Sequence, residues 1–276
     1  MAEITAAAVK ALRDRTQLPM MKCKKALQEA NGDQDAAVEA LRKEGEKFNE
    51  SRGDRETSAG RVEIFADMSA SAGAIIELQC ESDPVAKNDE VRQLCRDLAT
   101  QLATGPGAAS AQELLAQNNP SKSGETLQDT LNDITNRIRE VFRLSRIQRL
   151  EGSCGGYAHH TGSTGVLVQV EGGNAEAGKD VAMHIAAMKP QVVSKEDLPA
   201  DEVAREREIL LEAARKEGKP ENILEKMVEG RLRTFYEQRV LNEQKFVKDE
   251  TLTVTKFLGN NGMKVNAFVC WELGRD

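Results

Sequence analysis

The stretch Leu78-Gln-Cys-Glu-Ser-Asp-Pro-Val-Ala-Lys-Asn-Asp89 joins two sequence patterns of different period. The apolar run at 74–78 has strand character, whereas the apolar positions of residues 90–99 recur at helical spacing. Pro84 lacks an amide hydrogen and pushes Asp83 out of the helical region, so the strand cannot continue through them. The stretch therefore predicts a strand, a turn and a helix, with the Asp83 carboxylate on a rigid tip that suits contact with a partner. An ordinary Asp-Pro turn is the alternative.

The same order of patterns occurs twice in the chain. Residues 61–68 and 74–78 read as two strands that precede the first helix. Residues 156–160 and 165–171 read as a second pair of strands, and a helix is predicted at 180–189 after them. A duplicated unit of two strands and a helix is the economical explanation. The predicted fold class is therefore α+β, with a duplicated core and antiparallel sheets.

The N-terminal residues 1–45 predict a separate domain of three short helices. Thr5 can cap the first helix, Asp33 or Asp35 can cap the third, and Gly45 marks its end. Short helices bury little surface, so we expect this domain to bind another helix. The predicted organisation is a partner-binding domain at 1–45, a polar linker at 46–60, a first core half at 61–150 and a second core half at 151–276.

Two further helical patterns lie within the core halves. A long helix over 125–150 is expected to join the halves, with one apolar face formed by Leu127, Leu131, Ile134, Ile138, Val141, Phe142 and Ser145. Residues 201–217 and 220–240 predict two charged helices with a short connection. We expect them to form a projecting antiparallel hairpin at 197–240, within the second half.

Composition disfavours several functional classes. The chain has 38 Lys and Arg against 45 Asp and Glu, a net charge of −7, which disfavours a basic nucleic-acid-binding surface. It has no apolar run near membrane-span length, and its N-terminus lacks a signal-peptide or transit-peptide pattern. The five cysteines are scattered, as expected for free thiols in a reducing compartment. We therefore expect a cytoplasmic protein that binds neither nucleic acid nor membrane.

The strongest pattern for bound-nucleotide chemistry is Gly173-Asn-Ala-Glu-Ala-Gly-Lys179, which matches the Gly-x4-Gly-Lys of a P-loop. Asp180 stands where a P-loop has Ser or Thr for magnesium, so a nucleotide site is not expected. His159 and His160 are expected on opposite faces of a strand, and His184 is expected to pack on an apolar helix, so a zinc site is not expected. No nucleophile signature is present. The sequence predicts no enzyme active site and no cofactor.

Four colinear blocks resemble bacterial elongation factor Ts. The first, Leu12-Arg-Asp-Arg-Thr16 with Met20-Met-Lys-Cys-Lys-Lys-Ala-Leu-Gln-Glu-Ala-Asn-Gly-Asp33, is similar to that family's opening signature. The second, Glu81-Ser-Asp-Pro-Val-Ala-Lys87, is similar to its Thr-Asp-Phe-Val-Ala-Lys motif. The remaining blocks are Ala182-Met-His-Ile-Ala-Ala187 and Gly218-Lys-Pro-Glu221 with Lys226-Met-Val-Glu-Gly-Arg231. The resemblance covers nearly the whole chain.

The resemblance implies a fold and a function. It implies a ubiquitin-associated-like N-terminal domain, a duplicated core and a helical hairpin. It also implies guanine nucleotide exchange on the translational GTPase elongation factor Tu, in its GDP-bound and nucleotide-free forms. The segment that helps dislodge the Mg²⁺ of elongation factor Tu would be Ser82, Asp83, Pro84 and Val85. The surface that grips its nucleotide domain would be Leu12, Arg13, Met20 and Met21, and the second core half would contact its third domain.

The sequence departs from the family pattern at two places. Pro84 replaces the aromatic residue of the motif, so insertion of a large ring into the partner cannot occur in the usual way. The chain also ends at Asp276, soon after the predicted last strand, whereas longer members carry a further C-terminal helix that touches elongation factor Tu. The alternative function is therefore a scaffold or chaperone that binds elongation factor Tu with weak exchange activity. A dimer formed through the helical hairpin is left open.

Overall fold

The computed structural model describes residues 4–51, 55–217 and 220–275. Its N-terminal helices are α1 (Ala6–Thr16), α2 (Met20–Glu29) and α3 (Gln34–Ser51). Local signals start two of them as predicted. Thr5 Oγ1 accepts the amide hydrogen of Ala8, and Asp33 Oδ1 accepts those of Asp35 and Ala36. These side chains satisfy amide groups that have no partner inside a helix.

The end of α3 differs from the prediction. The helix continues through Gly45 to Ser51, so the segment before the first strand is shorter than the predicted linker at 46–60. Within that range, residues 52–54 lie outside the described residues. A glycine inside a helix costs only about 1 kcal/mol relative to alanine, which the neighbouring turns can offset.

The first sheet has the order β1–β2–β3 and is antiparallel. Its strands are β1 (Ala59–Phe65), β2 (Ala72–Cys80) and β3 (Arg143–Glu151). Between β2 and β3 lie the helices α4 (Asp83–Ala86), α5 (Asp89–Thr104), α6 (Ala111–Leu115) and α7 (Leu127–Ile138). Helix α5 packs on β1 and β2, and the N-terminal helix α3 packs on α7. The predicted strands and the helix after them are present.

The predicted long helix over 125–150 is wrong in its second part. Helix α7 ends at Ile138, Arg139 adopts a left-handed conformation with φ 65°, and β3 follows and pairs with β2. At a bulge, Ser145 has no residue of β2 directly opposite it, so Leu144 and Ile147 lie opposite Leu78 and Ile76, which share one face of β2. The bulge therefore lets apolar residues three positions apart share one face of a strand, and this spacing resembles that of a helix.

The second sheet has the order β4–β5–β8 and is also antiparallel. Its strands are β4 (Cys154–Ala158), β5 (Thr164–Gly172) and β8 (Met263–Glu272). The other elements of this half are α8 (Ala175–Met188), α9 (Ala200–Lys216), α10 (Glu221–Arg239), the small pair β6 (Lys245–Phe246) and β7 (Asp249–Thr253), and α11 (Val254–Asn260). Helix α8 packs on β4 and β5, as α5 packs on the first sheet.

The two sheets pack against each other through alternating residues of their central strands. Ile75 of β2 and Leu167 of β5 are fully buried in one cluster with Val62 and Cys154. The neighbouring residues along each strand face the helices instead, so β2 and β5 are buried on both sides. The molecule is thus a mixed α+β protein with small antiparallel sheets.

Helices α9 and α10 lie side by side in the second half. Ion pairs join Arg207 to Glu229 at 3.2 Å and Arg239 to Glu202 at 3.4 Å, so residues early in α9 meet residues late in α10. This order means that the helices run in opposite directions. Among the described residues, no helix combines the length and the apolar character needed to cross a bilayer.

Candidate partner-binding surfaces

The turn after β2 has an exposed tip on a buried base. Ser82 is extended, and α4 begins at Asp83, whose side chain is 73% exposed. Pro84 is exposed beside it, whereas Val85 is half-buried against the first core cluster and Ala86 is fully inside that cluster. The predicted protruding carboxylate is therefore where the sequence placed it, although the turn includes one short helix.

Glu140 holds this turn from the other end of the first half. Its Oε2 accepts the amide hydrogen of Ser82 at 3.0 Å, and its Oε1 accepts the Ser82 hydroxyl hydrogen at 2.6 Å. The Ser82 side chain is thereby engaged outside α4 and does not cap that helix. The sequence analysis missed Glu140 because 58 positions separate the two residues and no local pattern connects them.

The residues just before the tip are also tied down. Glu81 Oε1 accepts the amide hydrogen of Val141 at 2.9 Å, and its Oε2 pairs with Arg55 at 2.7 Å. The Cys80 thiol donates to the carbonyl oxygen of Ser82 at 3.3 Å. Burial raises the pKa of this thiol to about 11, so it stays protonated and can donate at neutral pH. The base of the turn is consequently fixed on both sides of Ser82.

Asp83 pairs with Lys87, whose Nζ lies 3.2 Å from Asp83 Oδ2 in the next turn of the chain. Both side chains are largely exposed, and an exposed pair at this spacing contributes only about 0.3–0.5 kcal/mol. The carboxylate can therefore leave Lys87 and interact with another charged group at small energetic cost.

The N-terminal residues of the predicted surface divide into two groups. Leu12 is fully buried in the core of α1, α2 and α3, so its side chain is not available to a partner in this conformation. Arg13 is exposed, and the exposed fractions of Met20 and Met21 are 48% and 75%. Two large, adaptable apolar side chains exposed to water are typical of a protein-binding surface.

A chain of ionic contacts connects this surface to the turn. Lys22, which follows Met21, pairs with Glu44 at 2.7 Å, and Glu44 also pairs with Arg139 at 3.4 Å. The hydrogen bond from Lys22 is the main reason that the pKa of Glu44 lies below its ordinary value. Arg139 precedes Glu140 in the chain. The two predicted surfaces are therefore attached to the same short segment after α7.

A third surface, which no sequence pattern indicated, is an open groove on the second half with a volume of about 440 Å³. Tyr157 and Met183 line it, and so does Val247 in the turn between β6 and β7, 43% exposed. The buried His184 fixes this turn, because its Nδ1 accepts the amide hydrogen of Val247 at 3.1 Å and its Nε2 lies 2.9 Å from Gln244 Oε1. The only early signal was the predicted packing of His184 on its helix.

The other chemical patterns in the sequence have structural explanations. The Gly178 and Lys179 of the P-loop pattern lie inside α8, and the Cα atom of Gly155 is 3.1 Å from where a Gly178 Cβ would be. His159 and His160 follow β4, with ring centroids 4.2 Å apart, so their prediction on opposite faces of a strand is wrong. No group of three or more His, Cys, Asp or Glu suited to a metal occurs among the described residues.

Comparison with known proteins connects these surfaces to one family. The family model described as Elongation factor TS matches residues 81–275. Elongation factor Ts of Methylococcus capsulatus is 42% identical over 274 residues, which cover 98% of this chain and 92% of that protein. Elongation factor Ts of Hydrogenobaculum sp. is 40% identical over 267 residues, with coverages of 96% and 97%. That of Lactiplantibacillus plantarum is 38% identical over 278 residues, with coverages of 99% and 93%.

Proposed function

The chain belongs to the elongation factor Ts family, and we propose that it is the guanine nucleotide exchange factor of elongation factor Tu. Membership makes it a translation elongation factor. In the proposed reaction it binds elongation factor Tu with GDP bound, disturbs the Mg²⁺ of that protein and promotes GDP release, after which GTP can bind. The observation that carries the proposal is the exposed Asp83 carboxylate on a turn whose base is fixed by Glu81 and Ser82.

The physical basis of the exchange is thermodynamic linkage. A partner that binds nucleotide-free elongation factor Tu more tightly than the GDP-bound form must weaken GDP binding by the same factor. Mg²⁺ neutralises phosphate charge, so a contact that displaces it weakens the hold on GDP. The exposed carboxylate of Asp83 suits an approach to such a cation, and the buried Ala86 and half-buried Val85 hold the tip in place during contact.

The two other surfaces have roles in holding the partner. We assign Met20, Met21 and Arg13 to contact with the nucleotide-binding domain of elongation factor Tu, with Leu12 supporting them from the core. We assign the groove beside Val247 to contact with its third domain, because this groove is an open apolar recess on the second half and Val247 is exposed there. Several separate contacts on one rigid chain let binding energy from remote sites act at the turn.

The finer features of the fold are part of the proposal. The helices α1 to α3 are proposed to be a ubiquitin-associated-like domain, and α9 with α10 a projecting hairpin that is available for dimerisation. The exchange needs no proton transfer and no covalent step, so the proposed factor works without an acid-base active site. A cytoplasmic location, where translation takes place, follows from the same function.

Release of a fluorescent GDP analogue from purified elongation factor Tu tests the proposal, measured with and without this chain across a Mg²⁺ titration. We expect a large acceleration of release that shrinks as Mg²⁺ rises, because added metal competes with its displacement. Tight binding to elongation factor Tu with no acceleration at any Mg²⁺ concentration would refute exchange and favour the scaffold.

Pro84 decides between exchange and the scaffold alternative. Its exposed ring is small, so the turn lacks the large aromatic wedge of the usual motif. In the proposed mechanism Asp83 and the backbone of the stiff tip carry the effect. The pair of variants Asp83→Ala and Pro84→Phe separates the alternatives, because a release rate that neither variant changes would show that the turn is not the part that acts on GDP.

A further inference from the structure

Helix α4 is too short to fix its own direction. Four residues form one turn, and an isolated turn of helix is unstable because its nucleation cost is not repaid. Its first residue, Asp83, and Pro84 are exposed, so packing does not hold them. Val85 and Ala86 anchor the far end of this helix in the first core cluster, and the direction of its exposed first turn depends on how Ser82 is held at the base.

Glu140 supplies two of these contacts to a single residue. It accepts from both the amide and the hydroxyl group of Ser82, at 3.0 and 2.6 Å. Two hydrogen bonds accepted by one carboxylate fix both the position and the rotation of Ser82. Hydrogen bonds to an ionised group are also about twice as strong as neutral ones. Ser82 directly precedes Asp83, so a rotation of its backbone would redirect the Asp83 side chain.

The contact is reciprocal. The residue before Ser82, Glu81, accepts the amide hydrogen of Val141, the residue after Glu140, at 2.9 Å. The segments 81–82 and 140–141 thus hold each other through carboxylates on opposite sides. Arg139 next to them pairs with Glu44, which carries the contact with Lys22 beside Met21. The segment with Glu140 therefore adjoins the turn and the N-terminal surface, which are two of the three surfaces that we assign to elongation factor Tu.

We propose that Glu140 is a positioning residue for nucleotide release, fixing the direction in which the turn presents Asp83. This inference rests on the proposed function, since it assigns a role within the same site. Glu140 acts through Ser82 and does not itself touch the partner's metal. Its removal changes how well the bound complex releases GDP, and it changes the affinity for elongation factor Tu much less.

The test measures GDP-analogue release against the concentration of the chain for Glu140→Ala, Glu140→Gln and wild type. For Glu140→Ala we expect the maximal release rate to fall by about tenfold, as for loss of a hydrogen bond to a charged group. The half-saturating concentration is expected to change by less than about threefold, since the surface with Met20 and Met21 and the groove beside Val247 are untouched. Glu140→Gln keeps one acceptor oxygen and is expected to lie between the two.

Ser82→Ala supplies a second route to the same contact. It removes the hydroxyl bond and leaves the amide bond, so its effect is expected to be smaller than that of Glu140→Ala. In the Glu140→Ala background it is expected to add nothing, because its partner is already absent. The matched control is Glu237→Ala, which removes a carboxylate that pairs with Arg233 on α10 at 3.1 Å. It is expected to leave release unchanged.

Hydrogen exchange of the Ser82 amide gives a readout that needs no partner. The amide is expected to exchange faster in Glu140→Ala than in wild type, while the thermal unfolding midpoint reports any general loss of stability. If Glu140→Ala does not fold, Glu140→Gln and Ser82→Ala carry the test.

Three results would overturn the inference. Wild-type exchange with an unchanged maximal rate in Glu140→Ala would refute it and leave the proposed function standing. An equal loss in affinity and maximal rate would reduce Glu140 to a structural residue. Wild type that binds elongation factor Tu without accelerating release would refute both proposals together.

Discussion

The two halves of the core pass from strand to helix in different ways. In the second half, Gly173 alone separates the end of β5 from Asn174, which caps α8 by accepting the amide hydrogen of Ala177 at 2.9 Å. In the first half, seven residues (81–87) separate the end of β2 from Asn88, which caps α5 in the same manner. The first junction contains the exposed Asp83, and the second contains no comparable tip.

The difference shows which junction is shaped by packing. Gly172 and Gly173 have φ of 69° and 76°, a backbone conformation that glycine adopts readily, and this lets α8 start at once. The start of α8 then packs closely on β4. The first junction is longer and is held by Glu140 from a distant segment, which a simple connection would not need. The extra length is consistent with the contact to elongation factor Tu that we propose for Asp83.

The largest expected effect on stability lies in the second half, where the start of α8 meets β4. A Cβ on Gly155 would lie 2.7 Å from the Cα of Gly178, so Gly155→Ala forces β4 and α8 apart. We expect the free energy of unfolding, measured in urea, to fall by about 2 kcal/mol. The control Gly230→Ala meets open space in α10 and is expected to raise it by about 0.5–1 kcal/mol. Equal free energies of unfolding for the two variants would show that the close contact between Gly155 and Gly178 does not limit the stability of the second half.

Asp83→Ala at the first junction is expected to act on function instead. Loss of the exposed carboxylate is expected to slow the maximal GDP release by about tenfold, the equivalent of one charged interaction. Its stability should stay within about 0.5 kcal/mol of wild type, as for other exposed sites. Glu176→Ala removes an exposed carboxylate from the second junction and is the matched control. If Glu176→Ala slows release as much as Asp83→Ala, the functional difference between the junctions disappears.

The buried His184 predicts a pH dependence confined to the second half. Burial lowers the pKa of His184 below its ordinary value of 6.5, so the unfolded chain binds the proton more readily than the folded chain. Its contribution to stability is present above that value and is lost as pH falls towards the folded pKa. We expect the thermal unfolding midpoint to decrease as the pH is lowered from about 7.5 to about 5.5.

The variant His184→Gln does not titrate and is the control for this pH dependence. Its thermal midpoint is expected to change less over the same pH range than that of wild type. Amide exchange at Val247, which donates to His184 Nδ1 at 3.1 Å, should quicken at low pH in wild type. Identical pH profiles for the two proteins would exclude His184 as the titrating group.

The smallest effect is expected for Pro84→Ala, which keeps the turn and removes its ring. Stability is expected to fall by about 0.4–1 kcal/mol, because the unfolded chain gains freedom. If stiffness of the tip aids release, the maximal rate falls by less than about threefold, which is far below the effect of Asp83→Ala. If the maximal release rate fell more in Pro84→Ala than in Asp83→Ala, the ring of Pro84 and not the carboxylate of Asp83 would have the main role.

Local sequence predicted much of this molecule. The strand, turn and helix around Asp83 were predicted from patterns within a few residues, and so was the cap at Thr5. These features depend on backbone restrictions and hydrophobic periodicity, which act over short distances. The family resemblance, and not local sequence, assigned Leu12, Met20 and Met21 to one surface; both methionines are exposed, whereas Leu12 is buried.

Tertiary structure alone decided the rest. Residues 143–151 have apolar side chains at helical spacing, but they form β3 because β2 offers them unpaired backbone groups. A bulge at Ser145 lets Leu144 and Ile147 lie on the same face of the strand. Glu140 reaches Ser82 across 58 positions, and His184 reaches Val247 across 63. The sequence by itself determined where the carboxylate of Asp83 would protrude. The fold determined what holds it, because hydrogen bonds between distant segments exist only after the chain has brought them together.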